Sequence, residues 1–129
     1  MVRKYVDMRG HLKNLELRGL LKRVNRVINK DTEIHPLVRW QYRGGLDDSQ
    51  RMGFLFENVI DAKGRRYDYP VVVGVMAGST QIYAVGLSCK PEEVIGKWQY
   101  ALEHPIAPVM VEKGCVHEVV MTGGDLTKE

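Results

Sequence analysis

Glycine and proline divide this chain into short segments, and that punctuation limits what it can fold into more than any other feature. Gly19, Gly44-Gly45, Gly64 and Gly78 each follow a brief apolar segment, and Pro91, Pro105 and Pro108 divide the remainder. The longest clearly apolar stretch, Pro70 to Gly78, is about half of the ~20 residues that a membrane-spanning helix needs. What remains is a set of small elements that must pack on one another. A chain of 129 residues suits a single domain, and 44% hydrophobic residues argue against wholesale disorder. There is no internal repeat or low-complexity tract.

The segments alternate in type. Asp7 stands before Met8, Leu12 and Leu15, which recur at helical spacing, so a helix capped by Asp7 and stopped by Gly19 is expected. Leu20 to Ile28 reads as a strand with a solvated cationic face. Asp31 and Thr32 offer a second cap, Pro36 falls in the first turn, and Ile34, Leu37, Val38 and Tyr42 form the apolar stripe of a second helix ended by Gly44-Gly45. Phe54-Leu55-Phe56 with Val59-Ile60 predicts a strand. The turn Asp61 to Gly64 leads to another strand over Tyr67 to Met76, so the two can form a hairpin.

Gly78-Ser79-Thr80 predicts a strand-to-helix turn, and Pro91-Glu92-Glu93 a first helical turn with carboxylates at the positive end of the dipole. Val94, Ile95, Trp98, Ala101 and Leu102 give that last helix a broad buried face. Val116 to Met121 reads as a final strand. The fold class is α+β (mixed α/β): one small domain with a mixed or antiparallel sheet flanked by helices.

Charge is unevenly placed. Residues 1–30 hold nine basic and two acidic side chains, a local +7 within a chain of net +3. That face can contact nucleic acid, or it can be a solvated surface paired with acidic neighbours; only Tyr5 interleaves aromatically, which favours the second reading. Trp40-Gln41-Tyr42-Arg43 and Trp98-Gln99-Tyr100 can stack bases, yet each sits on an expected helix, where core packing explains them more simply.

The remaining chemistry is sparse. Cys89 and Cys115 lack CxxC spacing and read as free, inert thiols, although Cys89 stands just before a helix N-terminus. His11, His35, His104 and His117 share no close spacing that would place two imidazoles on one metal. Gly74 to Thr80 lacks the lysine of a Walker A loop and the spacing of a dinucleotide fingerprint, so a structural turn with Ser79 or Thr80 as cap is expected. No catalytic, cofactor-binding or metal-binding residue is assigned. Met1-Val2-Arg3-Lys4 has no apolar signal core behind it, and a cytoplasmic location is expected.

The order of the segments adds a resemblance. Asp7-Met8-Arg9-Gly10-His11-Leu12 followed by Arg18-Gly19-Leu20-Leu21-Lys22-Arg23-Val24 is similar to the opening of UbiD-type decarboxylases. Asp31-Thr32-Glu33-Ile34-His35-Pro36-Leu37-Val38-Arg39-Trp40, Phe54 to Val59, and Pro70 to Gly74 with the Gly78-Ser79 turn continue it. Pro91-Glu92-Glu93 and His104-Pro105-Ile106 close the series. The resemblance spans nearly the whole chain in register.

Members of that family are reversible (de)carboxylases of aromatic or α,β-unsaturated carboxylic acids. They use prenylated FMN held with a divalent metal, usually manganese, and potassium. The resemblance implies that residues 1–105 form the N-terminal α/β domain. Residues 106–129 would be an extended linker and the first strand leading towards the family's split β-barrel, which with its catalytic arginine and glutamates lies beyond Glu129.

The expectation is therefore a small subunit or N-terminal segment of a UbiD-like assembly, a hetero- or homo-oligomer. It would contribute structure rather than catalytic residues, bind no cofactor alone and dock on a larger UbiD-like catalytic chain. The alternative is a stand-alone protein that binds an anion or nucleic acid through its basic N-terminal face.

Overall fold

A computed structural model describes residues 7–114 and 119–124. The chain opens with α1 (Met8–Leu17), whose cap is Asp7: its carboxylate accepts the Gly10 amide at 2.8 Å. The helix ends as expected at Gly19, whose φ of +68° lies in the left-handed region that a side chain disfavours. Strand β1 (Leu21–Asn29) follows, then α2 (Ile34–Arg43), a 3₁₀ turn (Asp48–Gln50) and β2 (Gly53–Ile60). The short strands β3 (Arg66–Tyr67) and β4 (Val71–Val73) precede α3 (Thr80–Leu87). A second 3₁₀ turn (Pro91–Glu93) then leads into α4 (Val94–Glu103).

The sheet is mixed. β1 and β2 are parallel, with α2 as the crossover that parallel pairing requires. β3 and β4 both pair antiparallel with β2 on its other side. The register of the parallel pair shifts between Val24 and Val27, and there the Asn58 side-chain amide donates to the Asn25 carbonyl at 2.6 Å. β1 forms one edge, and its charged Lys22, Arg23 and Arg26 discourage further strand pairing.

Helices cover both faces. Leu55 packs with Leu15, Leu20, Leu21, Val75, Ile82 and Val85 beneath α1 and α3. Its neighbour Phe56 points the other way and packs with Ile28, Ile34, Val38 and Val59 beneath α2. β4 divides likewise, with Val72 joining the first cluster and Val71 and Val73 the second. Period-two alternation thus splits the core in two. The result is a small α+β domain.

Several expectations need correction. Asp31 and Thr32 do not cap α2: Glu33 occupies the cap position, and both amides are taken by the Asn29 side chain. Glu33 instead reaches back, accepting the Asn29 amide at 2.7 Å. The buried residues of α2 are Ile34, Val38 and Gln41, while Leu37 and Tyr42 are exposed. The strand expected over Tyr67 to Met76 is broken by Asp68-Tyr69-Pro70 into β3 and β4.

The largest departure is α4. None of its residues is buried, so the broad buried face expected for Val94, Ile95, Trp98, Ala101 and Leu102 does not exist in this chain alone. The expected final strand falls partly on residues 116–118, outside the described residues; Val119, Val120 and Met121 are exposed and not in a strand.

Candidate functional site

Two surfaces gather chemically useful side chains. The first is a cleft of 420 Å³ where the 3₁₀ turn after α2 meets the start of α3, with Asp48, Arg51, Ser79, Thr80 and Tyr83 on its walls. The Gly78-Ser79-Thr80 turn does what a structural reading requires. Ser79 is buried, and its hydroxyl accepts the Ile82 amide as the α3 cap. Asp48 completes the terminus, accepting the Thr80 amide at 2.9 Å. This bond, assisted by the Thr80 hydroxyl and by Arg51, holds the Asp48 carboxyl below its ordinary range. A carboxylate of the chain itself therefore already sits at this helix N-terminus.

Arg51 lies 5.3 Å from the centre of the Tyr42 ring and 3.7 Å from the Asp48 carboxylate. Its Nε is buried and has no hydrogen-bond partner among the described residues. The cluster ties the loop after α2 to α3.

Among the described residues, the carboxyl groups displaced from their ordinary values are Glu16, Asp31, Glu33, Asp48 and Asp61, and all five are displaced downwards. Each is held ionised by an amide or cationic partner. A general acid working near neutrality needs the opposite shift. These groups are structural anions.

The basic N-terminal region is partly committed to such anions. Arg23 bridges Glu16 of α1 and Glu57 of β2 at 2.5 and 2.6 Å; Arg26 meets Glu33 at 2.8 Å, and Lys30 meets Asp31 at 2.6 Å. The reading of a cationic surface paired with acidic neighbours holds for these three.

The second surface is the outward side of α2, and it overturns an expectation. Trp40 is 72% exposed and Trp98 45% exposed, with Tyr42 and Tyr100 exposed beside them, so core packing does not explain these aromatic pairs. Trp98 half-covers α3, stacking on Tyr83 and donating from Nε1 to its hydroxyl at 2.8 Å. Trp40 has no such ring stacking or hydrogen bond from its indole among the described residues. It stands between a cleft of 410 Å³ bounded by His35, Arg39 and Arg43 and one of 460 Å³ bounded by Arg26, Thr32 and Leu37.

The three described histidines do not converge. His11 is buried and bonds the Val75 carbonyl; His35 is exposed on α2; His104 caps α4, its Nδ1 2.9 Å from the Tyr100 carbonyl. His117 and Cys115 lie outside the described residues. Cys89 is a half-buried free thiol in a cleft with no histidine or carboxylate on its walls. Among the described residues, no group of three or more His, Cys, Asp and Glu side chains is placed to hold a metal ion.

Among the described residues no helix is long and apolar enough to cross a membrane. No family model matches the chain, and no solved structure matches it.

Proposed function

We propose that this chain is the N-terminal segment or a separate small subunit of a UbiD-like carboxylase or decarboxylase. The assembly would act on aromatic or α,β-unsaturated carboxylic acids in the cytoplasm, with this chain contributing structure and association. The order of the sequence blocks suggests the kind of partner. The observation that supports docking is α4: Ile95, Trp98 and Leu102 share one side of the helix, and Ile95 is 73% and Leu102 74% exposed. Contiguous apolar surface of this kind on a folded domain marks an interaction site. Prenylated FMN, manganese and potassium would belong to the larger UbiD-like chain.

Co-expression of this chain with a larger UbiD-like chain tests the reading. Co-elution as one complex is expected, and Ile95→Asp with Leu102→Asp should release the small chain while leaving it folded. A chain that elutes as a stable monomer beside the larger one overturns the proposal.

The alternative, anion or nucleic-acid binding by the basic N-terminal face, has less support. Arg23, Arg26 and Lys30 already hold carboxylates of their own chain.

A further inference from the structure

The outward side of α2 carries two adjacent rows at i, i+4 spacing. One is His35, Arg39 and Arg43; the other is Pro36, Trp40 and Gly44. Successive members of a row lie about 6 Å apart along the helix axis. Unlike Arg23 and Arg26, Arg39 and Arg43 have no carboxylate partner among the described residues. No acidic side chain lines the 410 Å³ cleft between the rows.

The indole beside them is exposed and lies against the backbone of Gly44. A Cβ at position 44 would fall 2.7 Å from Trp40 Cε3 and 3.1 Å from Cζ3, so the six-membered ring rests in the space that glycine leaves. A solvent-facing aromatic surface next to two guanidinium groups without a carboxylate partner among the described residues has a definite chemical complement. The ligand needs a planar ring to stack and an anionic group within reach of that stack.

We propose that this side of α2 binds a nucleotide unit, with the base against Trp40 and the phosphate between Arg39 and Arg43. Phosphate accepts bidentate bonds from guanidinium, and any base presents a π-face to indole. An acidic peptide would satisfy the arginines and leave the stacking surface unused. The site is separate from the basic N-terminal residues and from α4, and it stands whether or not the chain docks on a UbiD-like partner.

Two probes separate the sources of a nucleotide unit: adenosine monophosphate, and a single-stranded eight-nucleotide adenine RNA. Each is titrated against the tryptophan fluorescence of the full chain. Quenching is expected, and Trp40→Phe should remove most of it whereas Trp98→Phe should not. With a labelled RNA read by anisotropy, Trp40→Ala should weaken binding roughly ten-fold, the order expected for removing one stacked base.

Arg39→Ala with Arg43→Ala should weaken both probes and flatten the salt dependence by about 0.7 in logarithmic slope for each phosphate no longer neutralised. Equal affinity for the two probes identifies a mononucleotide site. Much tighter RNA binding with a steeper salt slope identifies a strand. Absence of quenching by either probe at millimolar concentration, or quenching that survives Trp40→Phe, overturns the proposal and leaves this surface to a protein partner. All four side chains changed are exposed or half-exposed, so far-UV circular dichroism should be unaltered.

Discussion

The imidazole Nε2 of His11 donates to the carbonyl oxygen of Val75 at 2.7 Å, joining α1 to the segment between β4 and α3 across 64 residues of sequence. Both partners are buried, His11 at 1% exposure, so the bond is made where water does not compete. Replacing His11 with leucine keeps most of the volume and leaves the carbonyl unpaired in the core. A loss of about 1–3 kcal/mol is expected, the usual cost of an orphaned buried acceptor. Urea unfolding of the variant should show a lower midpoint with an unchanged slope.

The five carboxyl groups displaced downwards make acid stability predictable in sign. A carboxyl whose folded pKa lies below its unfolded value stabilises the fold above the unfolded value, and that contribution fades as pH falls through the folded one. Protonation of Glu16, Asp31, Glu33, Asp48 and Asp61 should therefore lower the melting temperature progressively from about pH 5 downwards. Asp48→Asn should melt lower at neutral pH and show a smaller drop between pH 7 and pH 3. Arg23 and Lys30 are raised by their carboxylate partners and stay charged throughout this window, so each pair is lost from its carboxyl side. Thermal melts followed by circular dichroism at a series of pH values would show both effects.

Local signals were legible where one residue type answers one backbone need. Asp7 as a cap, Gly19 as a stop and Ser79 at the turn into α3 all read correctly, because each satisfies or releases the backbone within a few residues. The two-sided core was partly visible in the alternation of β2. Gln41 was not. Its side chain donates to the Met52 carbonyl and accepts the Met52 amide, both at 3.0 Å, which draws a polar position of α2 inward and turns Tyr42 out. Apolar periodicity carries no signal for such a bolt. Asp31 misled for a similar reason: its carboxylate accepts the Ala62 amide 31 residues away rather than capping its own helix. The exposed aromatics failed differently, since Trp40 and Trp98 look like core residues by type, and sequence spacing does not say which side of a helix a domain leaves bare.

Gly44 offers a sharp test of how Trp40 is held. Its φ of −87° is ordinary, so alanine there meets no backbone-angle penalty, only the crowding of its methyl group. That methyl would lie 2.5 Å from the Trp40 carbonyl oxygen and 2.7 Å from the indole. Either the ring swings away or the last turn of α2 opens. Gly44→Ala should cost about 1–3 kcal/mol, the range for overpacking. It should also shift the tryptophan emission spectrum, a change absent if the indole is free to begin with.

Trp98 is what fastens α4 to the rest of the domain. It stacks on Tyr83 with ring centres 6.5 Å apart and donates to that hydroxyl, while Lys97 donates to the Leu87 carbonyl at the end of α3. Because α4 buries none of its residues, little else resists its detachment. Trp98→Phe retains a ring and removes the donor, for an expected cost of about 0.5–1.5 kcal/mol. The loss should be local. Amide exchange should accelerate across Val94–Glu103 while the strands of the sheet keep their protection, since weakly packed elements open without global unfolding. Uniform acceleration throughout the domain would instead mean that α4 belongs to the cooperative core, and that its bare side is not an independently movable docking element.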